Sequence, residues 1–144
     1  MGTGTSEPRK PSDERFYREL VENATDIIFR NDKKGNFLYI NPCGTEILGY
    51  TTDEFLKLNY ADIIPFEYKE DVRKFYIDQY KNGLHQTYLE LPIIKKDGRT
   101  VWVGQFVTML KNENGEIEFF GIARDITEIK SIQDALLESE EKYR

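Results

Sequence analysis

Few residues in this 144-residue chain could do covalent or metal chemistry, and they do not gather. His85 is the sole histidine, whereas a structural zinc site needs about four ligands drawn mainly from His and Cys. Cys43 is the sole cysteine and follows Pro42, with no cationic neighbour in sequence to lower its pKa, so it reads as a small buried apolar residue. Carboxylates are many, but they are spread as solvated faces and helix caps. No Gly-rich phosphate loop, nucleophile elbow or kinase motif appears. Residues 126–144 hold no histidine that could take a phosphoryl group. The chemistry on offer is therefore recognition. Trp102, among Val101, Val103, Phe106 and Val107, can stack on an aromatic ligand or serve as a cross-strand core residue.

The most informative stretch is the run Phe119-Phe120-Gly121-Ile122-Ala123-Arg124-Asp125-Ile126-Thr127-Glu128. An apolar strand ends there and a charged helical run begins. The Asp125 carboxylate can accept the orphan N–H groups of that helix, with Glu128 completing a box-like cap worth about 0.5–2 kcal/mol. Two readings stand: a plain cap, or a cap that also couples strand to helix. In the exit helix, Ile129, Ile132, Leu136, Ser139 and Tyr143 fall on a and d positions over about two heptads. That pattern suits a parallel dimer seam, or an amphipathic helix folded back on its own sheet.

The elements that must position these residues are legible in order. Residues 1–12 are small, polar and Pro-containing and read as a disordered tail, with a helix over 13–25 that carries Phe16, Tyr17, Leu20, Val21 and Ala24. Strands at 26–31 and 36–40 flank the turn Asp32-Lys33-Lys34-Gly35. Asn41 and Pro42 open a short helix as N-cap and first residue. Thr51 and Glu54 form a capping box, and 62–65 is a further short turn. The longest internal helix spans 67–82, with Val72, Phe75, Tyr76 and Tyr80 on one face and Gly83 as its stop. Strands at 87–95, 101–110 and 116–124 are joined by Asp97-Gly98 and Asn114-Gly115, strong hairpin signals. The fold class is α+β: a five-stranded antiparallel sheet with short helices over one face, an N-terminal flanking helix and a C-terminal exit helix.

Composition narrows function further. The content is 39% hydrophobic and 13% aromatic, enough for one core. A net charge of −6 repels phosphate backbones and argues against nucleic acid as partner. One cysteine leaves no internal disulfide, which fits a reducing compartment. No apolar run reaches the roughly 20 residues of a membrane span, and no signal-peptide core opens the chain. A cytoplasmic domain is the simplest reading, with any membrane anchor lying elsewhere in a longer parent.

Taken together, Asp32-x-x-Gly35, Phe37-x-Tyr39-x-Asn41, Gly49-Tyr50, Lys96-Asp97-Gly98, Trp102 and Arg124-Asp125-Ile126-Thr127-Glu128 resemble the PAS sensory domains, over about residues 14–130. The resemblance implies a ligand or chromophore cavity between sheet and helices, for which Ile40, Leu48, Ile64, Tyr76, Trp102, Phe106 and Phe120 are the candidate walls. It implies signal relay through Arg124, Asp125 and Thr127, and no catalysis by this fragment. It further implies a multidomain parent, such as a sensor histidine kinase or diguanylate cyclase. In haem-binding members the axial histidine lies within the long helix, and 69–82 has none; His85 is displaced from it. Flavin photoreceptors carry a reactive Cys in a charged Asn-Cys-Arg context that is absent around 59–65. Neither haem nor flavin is expected, while an unidentified small ligand remains open.

The expected organisation is a tail (1–12), a sensory domain (13–127) and a signalling helix (128–144). A homodimer through the N- and C-terminal helices, with downstream domains in cis, is the expected assembly. Ser139–Arg144 echoes Asp13–Arg18 at three of six positions, which suggests that a second similar unit follows. The alternative function is a ligand-free dimerisation spacer in a tandem array.

Overall fold

Turn chemistry sets the sheet. In the first turn the Asp32 carboxylate accepts the backbone N–H groups of Lys34 and Asn36, each at 2.9 Å. Gly35 follows at φ 92°, and a Cβ there would collide with the Tyr60 ring. This turn joins β1 (Ile27–Asp32) to β2 (Phe37–Ile40). The computed structural model describes residues 11–142; residues 1–10 of the tail expected over 1–12, and Tyr143 and Arg144, lie outside them. Two further hairpins join β3 (Gln86–Ile94), β4 (Thr100–Lys111) and β5 (Ile117–Asp125). The sheet order is β2-β1-β5-β4-β3, antiparallel throughout, so the first strand pairs with the last.

Between β2 and β3 the chain forms α2 (Pro42–Leu48), α3 (Thr52–Phe55), a 3-10 turn (Tyr60–Ile63) and α4 (Phe66–Lys81). They cover one sheet face. Their apolar side chains meet the inward strand residues in one core that includes Phe55, Ile64, Leu91 and Val103. The Thr51–Glu54 capping box forms as the sequence predicts. A second box, Asn59 with Asp62, opens the 3-10 turn and replaces the simple turn expected at 62–65.

The flanking helices lie outside this core. α1 (Pro11–Glu22) starts two residues earlier and ends three earlier than its periodicity predicts. Its last turn is closed by Asn23, whose side-chain amide donates to the Glu19 carbonyl at 2.9 Å. α5 (Thr127–Lys142) has no buried side chain, and Ile129, Ile132 and Leu136 are all more than half exposed. Its apolar stripe is therefore not folded back on the sheet. No described helix is long and apolar enough to cross a membrane.

Candidate functional site

A cavity of about 540 Å³ lies between the helices and the inward face of the sheet, within the usual size range of small-molecule sites. Four of the predicted wall residues, Ile40, Leu48, Ile64 and Tyr76, line it. Trp102, Phe106 and Phe120 do not. Strand side chains alternate faces, and on β4 the residues aimed inward are Val103, Gln105 and Val107; on β5 Phe119 and Ala123 are. Phe106 is half exposed on the opposite face, against Tyr88 at 4.8 Å between ring centroids. Phe120 sits on that face, opposite Thr108 and Arg30 in register. Trp102 is half-buried there, edge-on to Tyr68 at 6.0 Å and under the Lys130 ammonium at 4.9 Å. Counting parity from Val101 along β4 assigns Trp102 and Phe106 outward, and the pairing of Phe120 with Thr108 puts it on the same face.

The walls are mutually supported by aromatic edges: Phe37 on Phe55 at 4.5 Å, Tyr60 on Tyr76 at 5.3 Å, Tyr76 near Phe119 at 6.2 Å. Gly121 leaves room behind Phe29, whose ring occupies the place of a Cβ. Gln105 is a polar residue on this wall that the sequence reading missed. Its amide donates to the Tyr76 hydroxyl, and burial pushes the Tyr76 phenol well up.

The exit joint is built on one residue of β4. Ile126 N–H donates to the Trp102 carbonyl at 2.8 Å, extending the β4–β5 ladder one step past the strand. The return bond is rerouted. The Ile126 carbonyl turns to accept Lys130 N–H at 2.8 Å as the helix's first bond, and Trp102 N–H goes to Thr127 Oγ1 at 2.9 Å. The threonine hydroxyl thus stands in for the missing ladder carbonyl, which lets the chain leave the sheet as a helix without orphaning a donor. Asp125 caps as expected, but from one residue further out: its carboxylate accepts Thr127 N–H at 2.9 Å. The helix begins at Thr127, so Ile126 is the N-cap position and Glu128 stands at N2 instead of the expected N3, and no reciprocal bond from Glu128 forms among the described residues. Arg124 makes a two-pronged pair with Asp26, at 3.0 and 3.1 Å, which ties the end of β5 to the segment before β1.

Two buried amides hold the layers together. Asn41 is fully buried and uses all of its bonding capacity. Its oxygen accepts Ile28 N–H (2.9 Å) and Gly44 N–H (3.1 Å), and its nitrogen donates to the carbonyls of Val21 (3.1 Å) and Asp26 (2.9 Å). The sequence revealed only its capping role. Gln79, also fully buried, donates to the carbonyls of Leu84 and Val107 and accepts from the Thr87 hydroxyl, pinning the end of α4 to the sheet. His85 is exposed before β3, and Cys43 donates to the Thr25 carbonyl; neither lines the cavity. Burial, with the Asp26 and Glu46 charges, pushes the Cys43 thiol up, away from thiolate chemistry.

An antiparallel five-stranded sheet, a helical cover over an apolar cavity and a clamped exit helix define the α+β class of small sensory modules. The chain belongs to the PAS domain family, whose profile matches residues 25–128. It is 24% identical over 124 residues to the sensor histidine kinase TmoS of Ectopseudomonas mendocina, covering 85% of this chain and 13% of that protein. It is 28% identical over 127 residues to the methyl sulfide methyltransferase-associated sensor of Methanosarcina acetivorans, covering 88% of this chain and 12% of that protein. The chain thus spans about an eighth of the length of these two relatives. The PAS domain of a Colwellia psychrerythraea protein superposes with a TM-score of 0.73 at 20% identity, over 81% of this chain and 98% of that one, which shows the fold. A PAS domain is a signal-sensing module and is not itself the catalyst of the proteins that carry it.

Proposed function

We propose that this chain is the sensing unit of a larger signalling protein. It takes a small molecule into the cavity and relays occupancy through Arg124, Asp125 and Thr127 to a dimeric exit helix and on to an output domain. The relatives' names favour a histidine kinase as that output; a diguanylate cyclase is the other candidate. The limits follow: 13–127 senses, and 128–144 transmits.

One observation carries the reading. The strand that walls the cavity also holds the joint: Val103 lines the cavity, and its neighbour Trp102 grips Ile126 and Thr127 through its backbone. A ligand that binds one β4 position better than another biases that grip, which is how an occupant shifts a two-state element. The exposed Ile129, Ile132 and Leu136 of α5, with Phe16 and Leu20 of α1, supply apolar faces for a homodimer. Neither haem nor flavin takes part in this reading, and the module works on the cytoplasmic side without nucleic acid.

The test is denaturing extraction of the purified chain with mass spectrometry, and sedimentation of the chain beside a variant ending at Thr127. A stoichiometric small molecule, and a dimer that depends on α5, are expected. A second reading, a ligand-free spacer, draws on the aromatic edges that support the cavity walls without an occupant. A cavity that takes up nothing from a metabolite library, with dimerisation still dependent on α5, would select it.

A further inference from the structure

Acidic residues outnumber basic ones in this chain, 26 to 20. Yet among the described residues every charged side chain that lines the cavity is basic: Lys33, Lys34, Arg73 and Lys81. They come from two places. Lys33 and Lys34 stand on the β1–β2 turn. Arg73 and Lys81 stand on α4, about 80° apart around the helix axis, with Ile77 and Tyr80 of the lining between them in sequence. All four are solvent-exposed, whereas the deeper lining, such as Phe55, Ile64 and Val103, is buried and apolar. The arrangement is a cationic mouth on an oily interior.

None of the acids on or next to these elements (Asp32, Asp62, Glu67, Glu70, Asp71 and Asp78) lines the cavity. Asp32 has its carboxylate occupied by its own turn, accepting from the backbone of Lys34 and from Asn36. Glu70 pairs with Arg73 at 3.2 Å, but both partners are mostly exposed and the pair is weak. At Tyr60, which lines the cavity, burial raises the phenol; the Arg73 charge acts against that rise and the Glu70 charge acts with it.

We infer that the occupant of this cavity is an anionic amphiphile: a small molecule with an apolar body held between α4 and the sheet and a carboxylate, or a like anion, held at the mouth by Lys33, Lys34, Arg73 and Lys81. This deepens the sensing reading and rests on it. The anion stays partly hydrated at the rim, so it avoids the cost of burying a charge while the body leaves water. The same field draws anions to the mouth and repels cations.

The experiment uses three probes with one body and three heads: decanoate, 1-decanol and decylamine. Binding to the whole chain is measured by calorimetry, and the site is mapped from NMR shifts of Val103 and Val107, which line the cavity. Decanoate should bind about tenfold tighter than 1-decanol, the scale of a few exposed charge contacts, with decylamine weakest. The advantage should shrink with salt. The double variant Lys34→Glu and Lys81→Glu should lose it while binding 1-decanol as before. Two results overturn the anionic assignment and leave the sensing cavity standing: equal affinity for all three heads, or a preference for decanoate that survives charge reversal. If no probe binds and extraction also yields nothing, the cavity reading falls and takes this one with it.

Discussion

The joint makes a sharp prediction at Thr127. Its hydroxyl accepts Trp102 N–H at 2.9 Å, in the place a strand carbonyl would take, and Ile126 N–H donates to the Trp102 carbonyl at 2.8 Å. Thr127→Val keeps the shape and branching of the side chain and removes the acceptor. The site is near the surface, so water can partly replace the lost partner, and the cost is that of one ordinary hydrogen bond, about 1 kcal/mol. That figure converts to about a fivefold rise in the exchange rate of the Trp102 amide. Hydrogen exchange read by NMR measures it directly. The effect should be local: Lys130 N–H and the first turn of α5 speed up with it, while amides in the middle of β4 do not, and the melting temperature falls by no more than about 4 °C. Thr127→Ser keeps an oxygen in reach and should restore most of the protection. Unchanged Trp102 exchange in the valine variant, or equal exchange in the valine and serine variants, would refute the idea that the hydroxyl completes the ladder.

Three further outcomes follow from the geometry. Asn41→Ala removes four bonds at a fully buried position and leaves the Ile28 and Gly44 N–H groups without their acceptor; a loss of about 3–5 kcal/mol in urea denaturation is expected. Gly121→Ala puts a methyl where the Phe29 ring lies and drives that ring toward the cavity. Stability should fall by about 1–3 kcal/mol and cavity ligands should weaken, read by denaturation and calorimetry together. Glu54 bonds Lys96 at 2.7 and 2.9 Å and caps Thr51 N–H, which lowers its carboxyl from 4.5 to about 2. Because the folded value is the lower one, ionised Glu54 contributes stability that is complete above pH 4.5 and is lost as pH falls toward about 2. Glu54→Gln should flatten that part of the pH profile of the urea midpoint.

Local chemistry made much of the fold readable from residues alone. Asn41-Pro42, Thr51 with Glu54, Asp97-Gly98 and Asn114-Gly115 act within a few residues of themselves, so caps and turns declared their places. The five strands and the long helix followed from apolar runs between those marks, and the exit at Asp125 from an acid standing where a strand ends. The cavity walls were only half readable. Ile40, Leu48, Ile64 and Tyr76 were found as bulky apolar residues, but Trp102, Phe106 and Phe120 were chosen for size when parity governs the face.

What tertiary structure alone decided is where distant segments meet. Pairing β1 with β5 brings Asp26 to Arg124 across most of the chain, and packing α4 on β4 and β3 gives Gln79 two of its three partners, Val107 and Thr87. The sequence placed Thr127 only at the joint, one residue before the expected exit helix. It became the last rung of a sheet because Trp102, twenty-five positions earlier, presents an N–H that only the folded register aims at it. The four basic residues at the cavity mouth are the same case. Along the chain they are scattered among more numerous acids, and only the fold gathers one sign of charge around one opening.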